Sequence, residues 1–176
     1  KRAKLGIFLG FQHPVEVPGV SLFSFLRKAK YSQKSKSKVK EGSLLKEYRE
    51  ELLKYMLELK LPEDFLRRSL NEGFSGGEKK RNEILQLLAL KPKLAILDEI
   101  DSGLDVDGLK LIAKAIKQFT RRRQGYGGQA VNESKPSIIL ITHYARILKY
   151  LKADFVHVMV EGKIVKSGGA KLAEQV

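Results

Sequence analysis

The 176-residue sequence contains no cysteine. It therefore forms no disulfide, carries no thiolate nucleophile and offers no cysteine ligands to zinc or to an iron–sulfur cluster. It also lacks an apolar run of the roughly 18 residues that a membrane-spanning helix needs. With 43% hydrophobic and 31% charged residues, the composition is typical of a folded domain. We expect a cytoplasmic protein with one sizeable core.

Acidic residues are scarce beside basic ones, since 34 Lys and Arg against 20 Asp and Glu give a formal net charge of +14. Such an excess suggests nucleic acid or an acidic membrane surface as a partner. The basic residues are concentrated in two runs, 28–40 and 121–123. Neither run is interleaved with aromatic side chains that could stack on bases. We interpret both as solvated loops and regard nucleic acid as the less favoured partner.

Hydrophobic periodicity predicts an α/β fold. Short apolar runs that are typical of buried strands lie at residues 5–11, 94–97 and 137–142. Amphipathic or apolar helical patterns lie at 21–31, 44–61, 78–91, 106–120 and 145–150, with a further short helix starting at Pro62. Residues 155–160 and 163–166 flank a Glu-Gly turn and indicate a hairpin. Alternating strands and helices place a ligand site beyond the carboxyl ends of the strands.

Two stretches interrupt the alternation of strands and helices. The helical stretch 20–70 is expected to form a subdomain. Residues 121–136 are polar and rich in glycine. Their Gly-Tyr-Gly-Gly is not followed by the lysine and Ser/Thr pair of a phosphate loop, so we interpret this stretch as a surface insertion.

The segment 74–78 reads Phe-Ser-Gly-Gly-Glu and opens a predicted helix. One interpretation is a capping box, in which Ser75 caps the helix and Glu78 reaches back. However, each glycine in a first turn costs up to about 1 kcal/mol relative to alanine. A helix that brings bare amides against a phosphate does need such glycines. Gly76 and Gly77 therefore also suggest a phosphate site.

Two of the predicted strands end in polar side chains. Residues 94–97 form a predicted strand that ends in Asp98 and Glu99. This pattern is typical of a strand whose first carboxylate binds magnesium and whose second polarises a water molecule. An ordinary strand followed by an acidic cap would have the same sequence pattern, so this alternative stays open. The following segment, 101–105, has the composition of a turn before a helix. His143 follows the strand at 137–142, and both strand ends should open on one crevice.

Together these segments resemble the signature motif, Walker B, D-loop and H-loop of ABC ATPases, in the order and spacing of that family. Gln12 stands where the family has its Q-loop glutamine. Four segments have amino-acid sequences similar to those of the SufC-type ABC ATPases of iron–sulfur cluster assembly: residues 11–20, 74–86, 98–105 and 163–169. The likeness covers essentially the whole chain. It implies a RecA-like mixed-sheet core with a helical subdomain: the end of the N-terminal core part in 1–19, the subdomain in 20–73, and the C-terminal core part in 74–176.

The main departure from this family is at the start, because no G-x-x-x-x-G-K-[ST] occurs anywhere in the chain. In the family this phosphate-binding loop precedes the Q-loop. We therefore expect an N-terminally incomplete ATPase domain that does not hydrolyse ATP by itself. In the D-loop region Ile100 replaces the polar residue expected there.

The resemblance implies ATP and Mg²⁺ as cofactors and a role for each motif residue. Glu99 and His143 would be catalytic, and Asp98 with Gln12 would hold Mg²⁺. A larger set would contact the phosphates: Gln12, Ser75, Gly76, Gly77, Glu78 and Asp105. We also expect Lys79 or Lys80 to pair with Glu99 or Asp101 and to keep an isolated subunit inactive.

The implied partners are a second ATPase subunit, since two subunits sandwich two ATP molecules in this family, and SufB- and SufD-like scaffold proteins. A chain without cysteine would leave cluster ligation to that scaffold, and the helical stretch 20–70 is the expected docking surface. Three alternatives remain: a nucleotide-binding subunit of an ABC transporter, a nucleic-acid-binding ABC protein, and a regulatory remnant that hydrolyses nothing.

Overall fold

A computed structural model describes residues 2–33, 41–121 and 135–175. The strands, in chain order, are β1 (Ile7–Gly10), β2 (Val17–Ser21), β3 (Ser69–Leu70), β4 (Leu94–Asp98), β5 (Ser137–Ile141), β6 (Val156–Val160) and β7 (Lys163–Gly168). The α-helices are α1 (Leu22–Gln33), α2 (Glu41–Glu58), α3 (Gly76–Leu90) and α4 (Val106–Arg121). Short 3₁₀ turns cover Arg2–Leu5, Glu63–Leu66, Ala145–Lys149 and Ala170–Glu174. Most of the two basic runs and of the predicted 121–136 insertion lies outside the described residues.

Strands β1, β4 and β5 form a three-stranded parallel sheet with β4 in the centre. Phe8, Ala95 and Leu97 belong to the hydrophobic core. Leu9 and Ile139 are exposed on the sheet, so in the described part only one of its faces is buried. The apolar runs predicted these strands, and the parallel register aligns their carboxyl ends at one edge.

Helix α3 supplies much of the core, because side chains on nearly every side of it are buried. It begins at Gly76, two residues before the predicted start at residue 78, because Ser75 caps the first turn. It ends where Lys91 adopts a left-handed conformation (φ 49°), just before Pro92. Helix α4 buries one stripe against the same core, made by Leu109, Ile112, Ala113, Ala115, Ile116 and Phe119.

The helical half of the chain packs α1, α2 and the turn at Glu63–Leu66 around fully buried leucines, among them Leu22, Leu52 and Leu59. Its core is continuous with that of the sheet. A small antiparallel pairing joins β2 to β3, with Val17 opposite Leu70. The sequence analysis predicted no strand pair here, because β3 has two residues and Pro18 interrupts β2. Proline is tolerated in such a short edge strand.

The hairpin of β6 and β7 confirms the predicted Glu-Gly turn. Glu161 and Gly162 both have positive φ (49° and 76°), as a two-residue hairpin turn of type I′ requires. Among the described residues, no helix combines the length and the apolar character needed to cross a bilayer.

Candidate functional site

Polar side chains from all three parallel strands meet at the carboxyl edge of the sheet. Gln12 lies just after β1, Asp98 ends β4, and His143 follows β5. Gln12 Nε2 donates to Glu99 Oε2 at 2.7 Å, and His143 Nε2 lies 2.7 Å from Glu99 Oε1. The side chain of Glu99 is 15% exposed and that of His143 is 72% exposed. The structure thus brings two predicted site residues, Gln12 and His143, to the largely shielded carboxylate of a third, Glu99.

Glu99 adopts a left-handed backbone conformation, with φ at 46°. For a residue with a side chain, this conformation costs on the order of 1 kcal/mol or more. Two main-chain hydrogen bonds hold it: Glu99 N–H donates to Ile141 O at 2.9 Å, and Ser102 N–H donates to Glu99 O at 3.1 Å. The turn after β4 is therefore fixed from both sides, and it aims the carboxylate toward Gln12 and His143.

Lys80 and Lys79 do not pair with the carboxylates as expected. Lys80 Nζ donates to the main-chain carbonyl oxygens of Gln12 (2.6 Å) and Glu99 (3.0 Å). Lys79 forms its ion pair with Glu16 at 2.6 Å. Burial lowers the pKa of Lys80, against the opposing effect of nearby acidic residues led by Glu83. The expected pairing with Glu99 or Asp101 is wrong because the ammonium group donates to two main-chain carbonyl oxygens instead.

The segment after Glu99 leads from β4 to α4 and is hydrogen-bonded to residues that follow β5. Asp101 is 1% exposed, and its Oδ2 accepts a hydrogen bond from Thr142 Oγ1 at 2.9 Å. Arg146 Nη2 donates to Asp101 O at 2.7 Å. Asp105, predicted to contact phosphate, uses Oδ1 to accept from Gly108 N–H at 2.7 Å and so caps α4. Its predicted phosphate contact stays a prediction.

The segment 74–78 forms the predicted capping box at the start of α3. Ser75 Oγ accepts from Glu78 N–H at 3.3 Å, and Glu78 Oε2 accepts from Ser75 N–H at 2.7 Å. This hydrogen bonding lowers the pKa of Glu78. A Cβ added at Gly76 would meet no atom within 4 Å, and one at Gly77 only Leu104 Cδ2 at 3.8 Å. Packing within the chain thus leaves these two glycines unexplained, and their open surface fits an approaching phosphate.

The carboxyl edge of the sheet offers the oxygen ligands that Mg²⁺ prefers, from Asp98, Glu99 and the Gln12 amide. In the described ranges no cluster of three or more His, Asp or Glu side chains is arranged to hold a metal. Mg²⁺ is usually bound through one or two carboxylates together with waters and the phosphates of the substrate. The residues present fit that kind of shared site.

Two residues around the site were missed by the sequence analysis. Thr142 links the turn after β4 to β5, and Glu83 of α3 lies buried beneath β1, 4% exposed. Glu83 accepts a hydrogen bond from the main chain of Phe11. One sequence signal could have revealed Glu83. The apolar residues of α3 lie on several sides of the helix, so a charged residue between them is buried as well.

Glu83 should make stability depend on pH. Burial raises the pKa of Glu83 from 4.5 to about 7, although the Phe11 N–H and the charge of Lys80 oppose the shift. The folded state thus keeps its proton where the unfolded state loses it, and the free energy of unfolding falls as the pH rises from 4.5 to about 7. Glu83→Gln should gain up to about 3 kcal/mol relative to the wild type across this window.

Urea unfolding of the full-length protein at pH 5 and pH 8 would measure this effect. Glu47→Gln, which changes an exposed carboxylate on α2, serves as the matched control and should follow the wild-type profile. Equal pH profiles for Glu83→Gln and Glu47→Gln would contradict the prediction.

Comparison with known proteins first defines the class. Residues 4–102 match the family described as ABC transporter. A dimeric, post-hydrolysis structure of an ATP-binding cassette bound to ADP and Pi superposes with a TM-score of 0.70, at 17% identity, covering 95% of this chain and 64% of that one. The fold is that of an ATP-binding cassette, and the chain belongs to the ABC transporter family.

Within this family the sequence relatives are more specific. The chain is 46% identical to the probable ATP-dependent transporter SufC of Escherichia coli, over 99% of this chain and 65% of that protein. It is also 46% identical to the probable ATP-dependent transporter ycf16 of Cyanophora paradoxa, over 99% of this chain and 62% of that protein. The chain therefore spans less than two thirds of the length of these relatives. The resemblance to SufC-type ABC ATPases is confirmed.

Proposed function

We propose that the full-length protein is a SufC-like ATPase that binds and hydrolyses Mg²⁺-ATP to drive iron–sulfur cluster assembly on a SufB- and SufD-like scaffold. The observation that carries the proposal is the meeting of Gln12 and His143 at the carboxylate of Glu99. This arrangement places a base, a polar sensor and a hydrogen-bond donor at the end of a parallel sheet, where α/β folds bind their ligands.

In this proposal Glu99 orients and polarises the attacking water. Its carboxylate is shielded and already hydrogen-bonded on both oxygens, so a water enters when one of these bonds is released. His143 is exposed enough to turn toward a phosphate, and the Gln12 amide would help to hold the metal. Asp98 would hold Mg²⁺ through water, and the ion would neutralise charge on the phosphates.

The N-terminal end of α3, which carries the capping box, would contribute to the ATP site of a second copy of the chain. Among the described residues no hydrogen bond joins the 75–78 turn to Gln12, Glu99 or His143, and Gly76 is open on its outer side. We propose that Ser75, Gly76 and Gly77 bind the phosphates held by the partner subunit. Glu78 would keep the turn in shape, and Asp105 would approach the same phosphates. ATP would then close a homodimer, and hydrolysis would release it.

The domain limits of 1–19, 20–73 and 74–176 are part of the same proposal. So is the inactivity of this chain by itself, because its sequence holds no G-x-x-x-x-G-K-[ST]. We further propose a cytoplasmic location and the helical stretch 20–70 as the scaffold-docking surface. Since the relatives are named ATP-dependent transporters, a nucleotide-binding subunit of a transporter is the second candidate.

Gentle purification of the full-length protein with its natural partners distinguishes the two candidates. The assembly function predicts cysteine-bearing scaffold subunits in stoichiometric amounts, and ATP turnover that rises when they are added back. Recovery of membrane permeases in their place would favour transport. A full-length protein without Mg²⁺-dependent ATP turnover would contradict both candidates.

A further inference from the structure

Residues 11–16 connect β1 to β2 and carry Gln12. Their side chains bury little apolar area, since Phe11 is 49% and Val15 is 66% exposed. Hydrophobic packing therefore contributes little to fixing the path of this segment, because such stabilisation scales with the apolar area buried. Its position has to come from polar contacts with the main chain or from the strand pairings at its two ends.

Helix α3 supplies such contacts along the segment. Glu83 accepts from the main-chain N–H of Phe11, and Lys80 Nζ donates to Gln12 O at 2.6 Å. Lys79 pairs with Glu16 at 2.6 Å. Three side chains of one helix thus hold both ends of residues 11–16.

A buried pair of asparagines completes the set. Asn82 Nδ2 donates to Asn71 Oδ1 at 2.7 Å, and Asn71 Nδ2 donates to Val15 O at 2.9 Å. Asn82 is 0% and Asn71 is 2% exposed. Asn71 has a left-handed backbone (φ 62°), and Asn82 Oδ1 is buried without a partner. Both features oppose folding, so a gain in stability does not explain this pair well.

We propose that Asn71 and Asn82, together with Lys79 and Glu83, are positioning residues for Gln12. They clamp residues 11–16 to α3, so Gln12 is carried with this helix and does not swing independently. The inference rests on the proposed function only for the effect on ATP turnover. The clamp itself is a property of the fold and can be measured without nucleotide.

The test uses Asn71→Gly in the full-length protein. Glycine accepts the left-handed conformation without strain, so the change removes the two amide hydrogen bonds and leaves the backbone free to keep its path. We expect amide hydrogen exchange in a peptide covering residues 11–17, without nucleotide, to rise about tenfold. Exchange in α4 should not change. The kcat for ATP should fall about three- to tenfold, with KM and the affinity for ADP within about twofold.

Lys60→Gly is the matched control, because Lys60 is another left-handed residue of the same half of the chain (φ 51°). It should leave exchange at 11–17 and kcat unchanged. A second test uses the exposed ion pair: Glu16→Lys should raise exchange in residues 11–17, and the double variant Glu16→Lys with Lys79→Glu should restore it.

The proposal is overturned if exchange at 11–17 is unchanged in both Asn71→Gly and Glu16→Lys. It is also overturned if exchange in Asn71→Gly rises across the whole fold and the charge swap restores nothing, since Asn71 would then act on overall stability. If the wild-type protein hydrolyses no ATP, the proposed function fails, while the exchange data still decide whether the clamp exists.

Discussion

Replacement of Glu99 by glutamine in the full-length protein should lower the kcat for ATP by two to four orders of magnitude, the range expected for loss of a general base. Glutamine keeps the size of the side chain and an acceptor for Gln12, so the strand-end group should keep its shape. The affinity for Mg²⁺-ATP should therefore stay within a few-fold. Single-turnover kinetics and equilibrium nucleotide binding measure the two effects separately.

Asp107→Asn is the matched control for this substitution. Asp107 is an exposed carboxylate in the first turn of α4, 3.8 Å from Lys110, and surface pairs of this kind contribute little. Its kcat should match that of the wild type. A Glu99→Gln protein that keeps more than a tenth of the wild-type kcat would show that another residue activates the water.

Gly76→Ala should make the protein more stable and less active. Gly76 is the first residue of α3, and a Cβ there would meet no atom of the chain. Alanine should raise the free energy of unfolding by about 0.4–1 kcal/mol, mainly by restricting the unfolded chain. ATP turnover should fall tenfold or more, because the methyl group would separate the amides of the first turn from the phosphate.

Gly108→Ala gives the contrasting control. A Cβ at Gly108 would lie 2.9 Å from Asp105 Oδ1, the atom that caps α4. This variant should lose stability by about 1 kcal/mol, as loss of a helix cap does. Denaturant unfolding and ATP turnover, measured on both variants, check the pair. Full turnover in a stabilised Gly76→Ala protein would contradict a phosphate role for this turn.

Much of the fold could be predicted because local patterns determine it. The apolar runs at β1, β4 and β5 and the proline after α3 are visible in the sequence. The start of α3 was placed too late, since the low helix propensity of Gly76 and Gly77 hides a turn that Ser75 caps. The β2–β3 pair was missed because two residues in β3 form no pattern.

The sequence predicted which residues at the strand ends would lie together, but not the geometry of their contacts. The two strand ends indicated that Glu99 and His143 would open on one crevice, and the resemblance to ABC ATPases added Gln12. The left-handed backbone of Glu99 depends on its contact with Ile141 O, which only the sheet register creates. The carbonyl partners of Lys80 are 19 and 68 residues away in sequence, and no local pattern reveals a contact with main-chain oxygens.

The central claim is that each ATP site combines the Glu99 group of one subunit with the Ser75-Gly76-Gly77 turn of its partner. Two inactive full-length variants, Glu99→Gln and Gly76→Arg, test it when mixed in equal amounts and allowed to exchange subunits. Half of the dimers would then be mixed, and each would hold one intact site. The account predicts recovery of about a quarter of the wild-type turnover. Activity no higher than that of either variant alone, in mixtures shown to contain mixed dimers, would contradict it.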